Sequence, residues 1–125
     1  MGVLKKITLG ILTNAIALYG LVFIVDKIEY GGGVLFFIVG GLFLGLLNQV
    51  VKPLIKIFSL PLVFLTGGLF LIVINGIILW FLEYVLQVVA FREVYIVIPD
   101  LSSYIIGGII IGILNWILHL FIKNQ

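Results

Sequence analysis

The sequence predicts an all-α integral membrane protein: four transmembrane helices in a compact bundle, with both termini cytoplasmic. Three observations lead there. The 125 residues are 64% hydrophobic and 10% charged, whereas about 25% of the residues of a soluble domain are charged. The apolar residues gather into long uncharged runs, and the charges between those runs fall unequally on two sides. A chain this short cannot hide such a surplus in a core of its own. Bilayer is therefore part of its solvent, which excludes a soluble enzyme, a disordered tail and a nucleic-acid binder. The chain has no cysteine, so disulfides, thiolate nucleophiles and thiolate metal sites are excluded as well.

The runs are residues 7–25, 33–51, 61–82 and 104–122. About 20 helical residues cross the roughly 30 Å of hydrocarbon. Backbone groups must be satisfied within the segment or in a closed barrel, and continuous apolar runs without alternation select helices. The first run follows Lys5 and Lys6 and contains Ala15-Ile16-Ala17, which resembles a leader-peptide cleavage site. Its apolar stretch continues to Val25, well past the small residues, so it is read as a span and the chain as one four-helix transmembrane domain.

Four spans put Lys5, Lys6, Lys52, Lys56 and Lys123 on one side, with no acid among them. The other side takes Asp26, Lys27, Glu29, Glu83, Arg92, Glu93 and Asp100. Excess Lys and Arg in short loops marks the cytoplasmic face, so both termini are expected inside.

Within the spans the informative residues are glycines and asparagines. Gly40-Gly41 precedes Asn48, Gly67-Gly68 precedes Asn75, and Gly107-Gly108 precedes Asn115, each time at the same spacing. At about 100° per residue, Gly41, Gly45 and Asn48 share one helix face, as do Gly108, Gly112 and Asn115. Small residues let helix backbones approach closely, and an amide can hydrogen-bond across the contact. Gly68 and Asn75 form a weaker version, with Ile72 in the middle position, and the first span offers Gly10 and Asn14. Helix packing is the leading reading. An amide-lined path for a polar solute, or contact with a second copy of the chain, are its alternatives. Asn14 and Asn115 lie at similar depth and are expected to pair directly.

No Asp, Glu, Lys, Arg or His stands mid-span, which argues against a proton relay or voltage sensor. His119 lies near the end of the fourth span and reads as interfacial. With no carboxylate or second histidine near it in sequence, no catalytic, metal or cofactor site is expected.

The second connection, Asn48 to Pro61, is the most distinctive stretch. Pro53 is expected to end the second helix at Lys52, because a residue before proline disfavours helical backbone. Residues 53–60 then form a short interfacial helix, with Lys52 and Lys56 reaching the headgroups. Asn48, Lys52-Pro53, Lys56, Leu60-Pro61, Leu65-Thr66-Gly67-Gly68-Leu69-Phe70 and Asn75 resemble the four-span phage-holin-like bacterial membrane proteins, also called YvlD-like. Members commonly have Leu where Gly67 stands here. The resemblance runs from about Gly33 to the C-terminus. It implies a bacterial cytoplasmic membrane and a chromosomal, envelope-stress-related product rather than a phage lysis gene.

On the outer side, Val94-Tyr95-Ile96-Val97-Ile98 is β-prone, and Gly31-Gly32-Gly33 makes a flexible tip. The function expected is that of a non-enzymatic, structural or stress-related membrane component that self-associates. A holin-like membrane-permeabilising pore, and a small channel or solute carrier lined by Asn residues, are the alternatives. The expected partners are the lipid bilayer and a second copy, with no small-molecule substrate identified.

Overall fold

A computed structural model describes residues 2–123. Its order is α1 (Gly2–Ile24), β1 (Glu29–Gly31), α2 (Val34–Leu46), a π-helical turn (Leu47–Val51), α3 (Lys52–Phe58), α4 (Leu60–Leu65), α5 (Phe70–Val89), β2 (Tyr95–Val97) and α6 (Leu101–Lys123). Four helices are long and apolar enough to cross a membrane: α1, the continuous stretch Val34–Phe58, α5, and α6 from Leu101 to Phe121. Helix α1 packs on α2, α5 packs on α6, and α6 packs back on α1, while α2 and α5 touch less. One end of the structure holds the α3–α4 turn with Lys52 and Lys56. The opposite end holds the strands.

One expectation about the second connection is corrected. Pro53 does not end the second helix, which continues to Phe58. In a regular helix its ring would strike the carbonyl four residues back, and its missing N–H would break the ladder. The chain meets this with the π turn just before it, where the Lys52 N–H donates to the Leu47 carbonyl five residues back. The wider turn makes room for the proline, and such turns recur at functional sites.

The third span is corrected as well. Residues 61–82 do not form one helix: α4 ends at Leu65 and α5 starts at Phe70. Between them Gly67 and Gly68 take positive φ of 63° and 95°, a region that a side chain makes costly. Thr66 closes both helix ends, donating to the Leu62 carbonyl at 2.8 Å and accepting from the Phe70 N–H at 3.0 Å. Gly68 is therefore a breaker and not a packing residue; a Cβ there would meet nothing within 4 Å. Helix α5 in turn continues past Leu82 to Val89, so Glu83 is helical and not part of the loop.

At the strand end, β1 and β2 pair antiparallel, with Glu29 opposite Val97 and Gly31 opposite Tyr95. Side chains along a strand alternate between faces, and here Val94, Ile96 and Ile98 turn inward and are buried while Tyr95 and Val97 face out. The β-prone stretch thus pairs with the first outer connection and covers the core.

Asp100 caps α6. Its Oδ1 accepts from the Ser103 N–H at 2.9 Å and the Ser102 hydroxyl at 3.0 Å. Hydrogen bonds from the Ser103 side chain and backbone, then from Ser102, pull its carboxyl from 3.8 down to about 2, and Lys27 at 3.7 Å adds a smaller pull. A depressed carboxylate pKa contributes stability that is present above the unfolded value and lost as pH falls through the folded one. Asp100→Ala is expected to lower the thermal midpoint modestly at neutral pH. Its deficit against the parent should shrink as pH is lowered from 3.8 toward about 2; a pH-independent difference in a melting series would contradict the cap.

Candidate functional site: an amide-lined chamber

The four helices meet in two hairpins built alike. In the α1–α2 hairpin, a Cβ placed on Gly41 would lie 2.8 Å from the Ile11 carbonyl oxygen and 3.0 Å from the Ala15 nitrogen. In the α5–α6 hairpin, one on Gly108 would lie 2.8 Å from the Gly76 nitrogen and 3.0 Å from the Ile72 carbonyl oxygen. One turn further along, a Cβ on Gly45 would lie 3.2 Å from Asn14 Nδ2, and one on Gly112 would lie 2.7 Å from Asn75 Nδ2. Both hairpins therefore set backbone against backbone, with the amide of the first helix lying over the second glycine. Small residues beside the first amide, Ala15 and Gly76, complete each contact. The Asn-Gly step at 75–76 was the readable signal for Gly76.

One turn past those glycines stand Asn48 and Asn115. Asn48 Nδ2 donates to Asn14 Oδ1 at 3.0 Å, and Asn14 Nδ2 donates to the Gly10 carbonyl at 2.8 Å. The expected Asn14–Asn115 pair is corrected: Asn14 meets Asn48, its neighbour across the hairpin, instead. Double-mutant cycles between polar groups in membrane bundles average about 0.6 kcal/mol and reach about 1.7. An Asn14/Asn48 cycle to Leu is expected within that range, and an Asn14/Asn115 cycle near zero. Equal couplings in SDS-unfolding titrations would contradict this pairing.

Asn14, Asn48, Asn75 and Asn115 all border one chamber of about 600 Å³ at the lysine end, within the size range of small-molecule sites. Each crossing helix contributes: Thr13 and Asn14 from α1, Asn48 and Gln49 from the π turn, Lys52 and Lys56 from α3, Leu71 and Asn75 from α5, and Gly112, Asn115, Trp116 and His119 from α6. The π turn thus carries two of the polar lining residues. Asn75 and Asn115 are 8% and 9% exposed, and the side-chain oxygens of Asn48, Asn75 and Asn115 are buried without a hydrogen-bond partner. Such groups cost free energy until something donates to them.

Among the described residues, no carboxylate borders the chamber. The half-buried Lys52 and exposed Lys56 leave it with two positive charges. His119 Nδ1 lies 2.7 Å from the Asn115 backbone carbonyl, which fixes its ring beside the opening. Among the described residues, no group of three or more His, Cys, Asp or Glu is placed to hold a metal ion.

Toward the strand end the chamber stops. Leu18, Leu44, Leu79 and Ile111, each one turn beyond an asparagine, are at most 1% exposed. They belong to a continuous apolar core with Leu21, Phe36, Leu82 and Leu86. The cavity is a blind one.

Residues 5–117 match the family described as mycobacterial 4 TMS phage holin, superfamily IV. An uncharacterised protein of Streptomyces coelicolor is 32% identical over 126 residues, covering 97% of this chain and 98% of its own. No solved structure matches the chain. With four membrane-crossing helices and a match that spans nearly all of them, the chain is a multi-pass membrane protein that belongs to the four-TMS phage holin family of superfamily IV.

Proposed function

We propose that this protein is a non-enzymatic component of the bacterial cytoplasmic membrane that works as a binding chamber, open to the cytoplasm and shut toward the outside. The observation that carries the reading is the convergence of Asn14, Asn48, Asn75 and Asn115 with Lys52 and Lys56 on one blind cavity. Buried amides in a bilayer are costly and mark sites of polar contact. The asymmetry of basic residues supports the orientation, with both termini and the chamber mouth inside. Gly41, Gly45, Gly108 and Gly112 serve as the packing residues that hold the two hairpins. A structural or envelope-stress role, with or without a second copy, is compatible with such a unit.

The pore reading makes a different demand. A conducting path through one copy needs polar or wet surface across the whole bilayer, and the apolar layer at Leu18, Leu44, Leu79 and Ile111 lies across it, so a pore would form between copies of the chain. Controlled expression with potassium efflux recorded by electrode tests the two. The chamber reading expects efflux no greater than from cells making an unrelated four-span protein. Rapid potassium loss followed by lysis would overturn it and favour the holin-like pore.

A further inference from the structure

A second, smaller cavity shares a wall with the chamber. Between α1 and α2 runs a mostly apolar groove of about 260 Å³, bordered by Ile7, Ile11, Leu42 and Leu46, with Lys6 at its outer rim. Gly10 and Gly45 border both this groove and the chamber. A Cβ at Gly10 would meet nothing within 4 Å, so glycine there leaves a gap where a side chain would stand. A molecule could lie with an apolar tail in the groove and a polar head among the amides.

Resting on the chamber reading above, we infer that the occupant is an anionic membrane phospholipid with a hydroxyl-bearing headgroup, admitted sideways through the Gly10–Gly45 gap. Three features select that chemistry. Lys52 and Lys56 face the chamber with no carboxylate beside them among the described residues, which calls for an anion, and phosphate suits ammonium groups. The unpartnered oxygens of Asn48, Asn75 and Asn115 call for donors, which bare phosphate at neutral pH supplies poorly and headgroup hydroxyls supply well. The groove gives an acyl chain an apolar bed that a soluble anion would not need. The amides lie about 12 Å below Lys6, eight residues along α1 at 1.5 Å each. The headgroup would therefore sit deeper than its neighbours, held there by polar lining.

Because the chain lacks cysteine, one engineered thiol reports on occupancy. Thr13 borders the chamber, and Thr13→Cys is close to isosteric. Its modification by uncharged iodoacetamide would be timed in phosphatidylcholine vesicles and in vesicles of equal parts phosphatidylcholine and phosphatidylglycerol. Ser59→Cys, in the turn at the same end, controls for surface effects. Phosphatidylglycerol is expected to slow Thr13→Cys severalfold and leave Ser59→Cys unchanged. The slowing should vanish on adding Gly10→Phe, which fills the open gap, and on adding Lys52→Gln with Lys56→Gln. Equal rates in both vesicles, or full slowing retained with Gly10→Phe, would overturn the inference. Slowing by inorganic phosphate or glycerol phosphate in phosphatidylcholine vesicles would assign the site to a soluble anion instead and overturn the lipid. If Thr13→Cys never reacts while Ser59→Cys does, the chamber reading itself fails.

Discussion

Gly108→Ile is expected to unlock the α5–α6 hairpin, with the largest loss of stability of any single change considered. The three atoms nearest the new Cβ are all backbone: the Gly76 nitrogen at 2.8 Å, the Ile72 oxygen at 3.0 Å and the Asn75 carbonyl carbon at 3.3 Å. A side-chain neighbour could rotate away, but a helix backbone cannot, so the two helices must separate along their contact. Overpacking a well-filled contact costs about 1–3 kcal/mol and sometimes more. A backbone-on-backbone clash with a branched side chain belongs at or above the top of that range. Gly41→Ile should behave alike in the other hairpin, where the Ile11 oxygen and Ala15 nitrogen stand in the way. Gly10→Ala, by contrast, enters open space and should cost little. SDS titration of the purified protein in mixed micelles gives the comparison. Equal midpoints for Gly108→Ile and Gly10→Ala would remove the proposed packing face.

Glu83→Leu is expected to release the strand end from the helices. Glu83 is partly buried; one carboxylate oxygen accepts from the Ile98 N–H at 3.1 Å and the other from the Tyr104 hydroxyl. One side chain on α5 therefore ties down both the segment after β2 and the first turns of α6. A hydrogen bond to a charged group contributes about 1.5–3 kcal/mol. The two share a carboxylate and will not simply add, so a loss of about 3 kcal/mol is expected. Glu83→Gln keeps an acceptor and should lose less. Tyr104→Phe removes one bond and should fall between. A Glu83→Leu protein as stable as the parent would show that the carboxylate prefers headgroup water to these partners.

Much of the fold is written in plain hydropathy. Uncharged length alone gives the number of spans, though the third begins at Phe70 and not at the start of its apolar run, and a period near 3.6 puts Gly41, Gly45 and Asn48 on one face and Gly108, Gly112 and Asn115 on another. The failures share a cause, in that one string of residues admits two backbones. Gly67-Gly68 before Asn75 looks the same as Gly107-Gly108 before Asn115. Yet the first pair takes left-handed backbone after a threonine that caps both neighbouring helices, and the second stays helical. The repeat is real at the level of two hairpins and misleading at the level of three helices. Pro53 reads as a stop because the preceding-residue rule carries no term for a π turn. The chamber was half legible. One amide per span can be counted in the sequence, but their meeting beside Lys52 and Lys56 depends on helix rotation and on that same π turn. Glu83 carried no signal beyond its charge, since its partners Ile98 and Tyr104 lie across a loop whose path the sequence does not specify.

The central claim is a chamber wet from one side and sealed on the other, and a cysteine-accessibility scan tests it most directly. Thr13→Cys and Leu71→Cys border the chamber, while Leu79→Cys and Leu82→Cys lie in the fully buried core beyond it. Each would be exposed to a membrane-impermeant sulfonate thiol reagent in inside-out vesicles and in intact cells. The account expects the first two to react in inside-out vesicles alone, and the last two to react from neither side. Reaction of Leu79→Cys, or reaction of Thr13→Cys from the outer face, would contradict it.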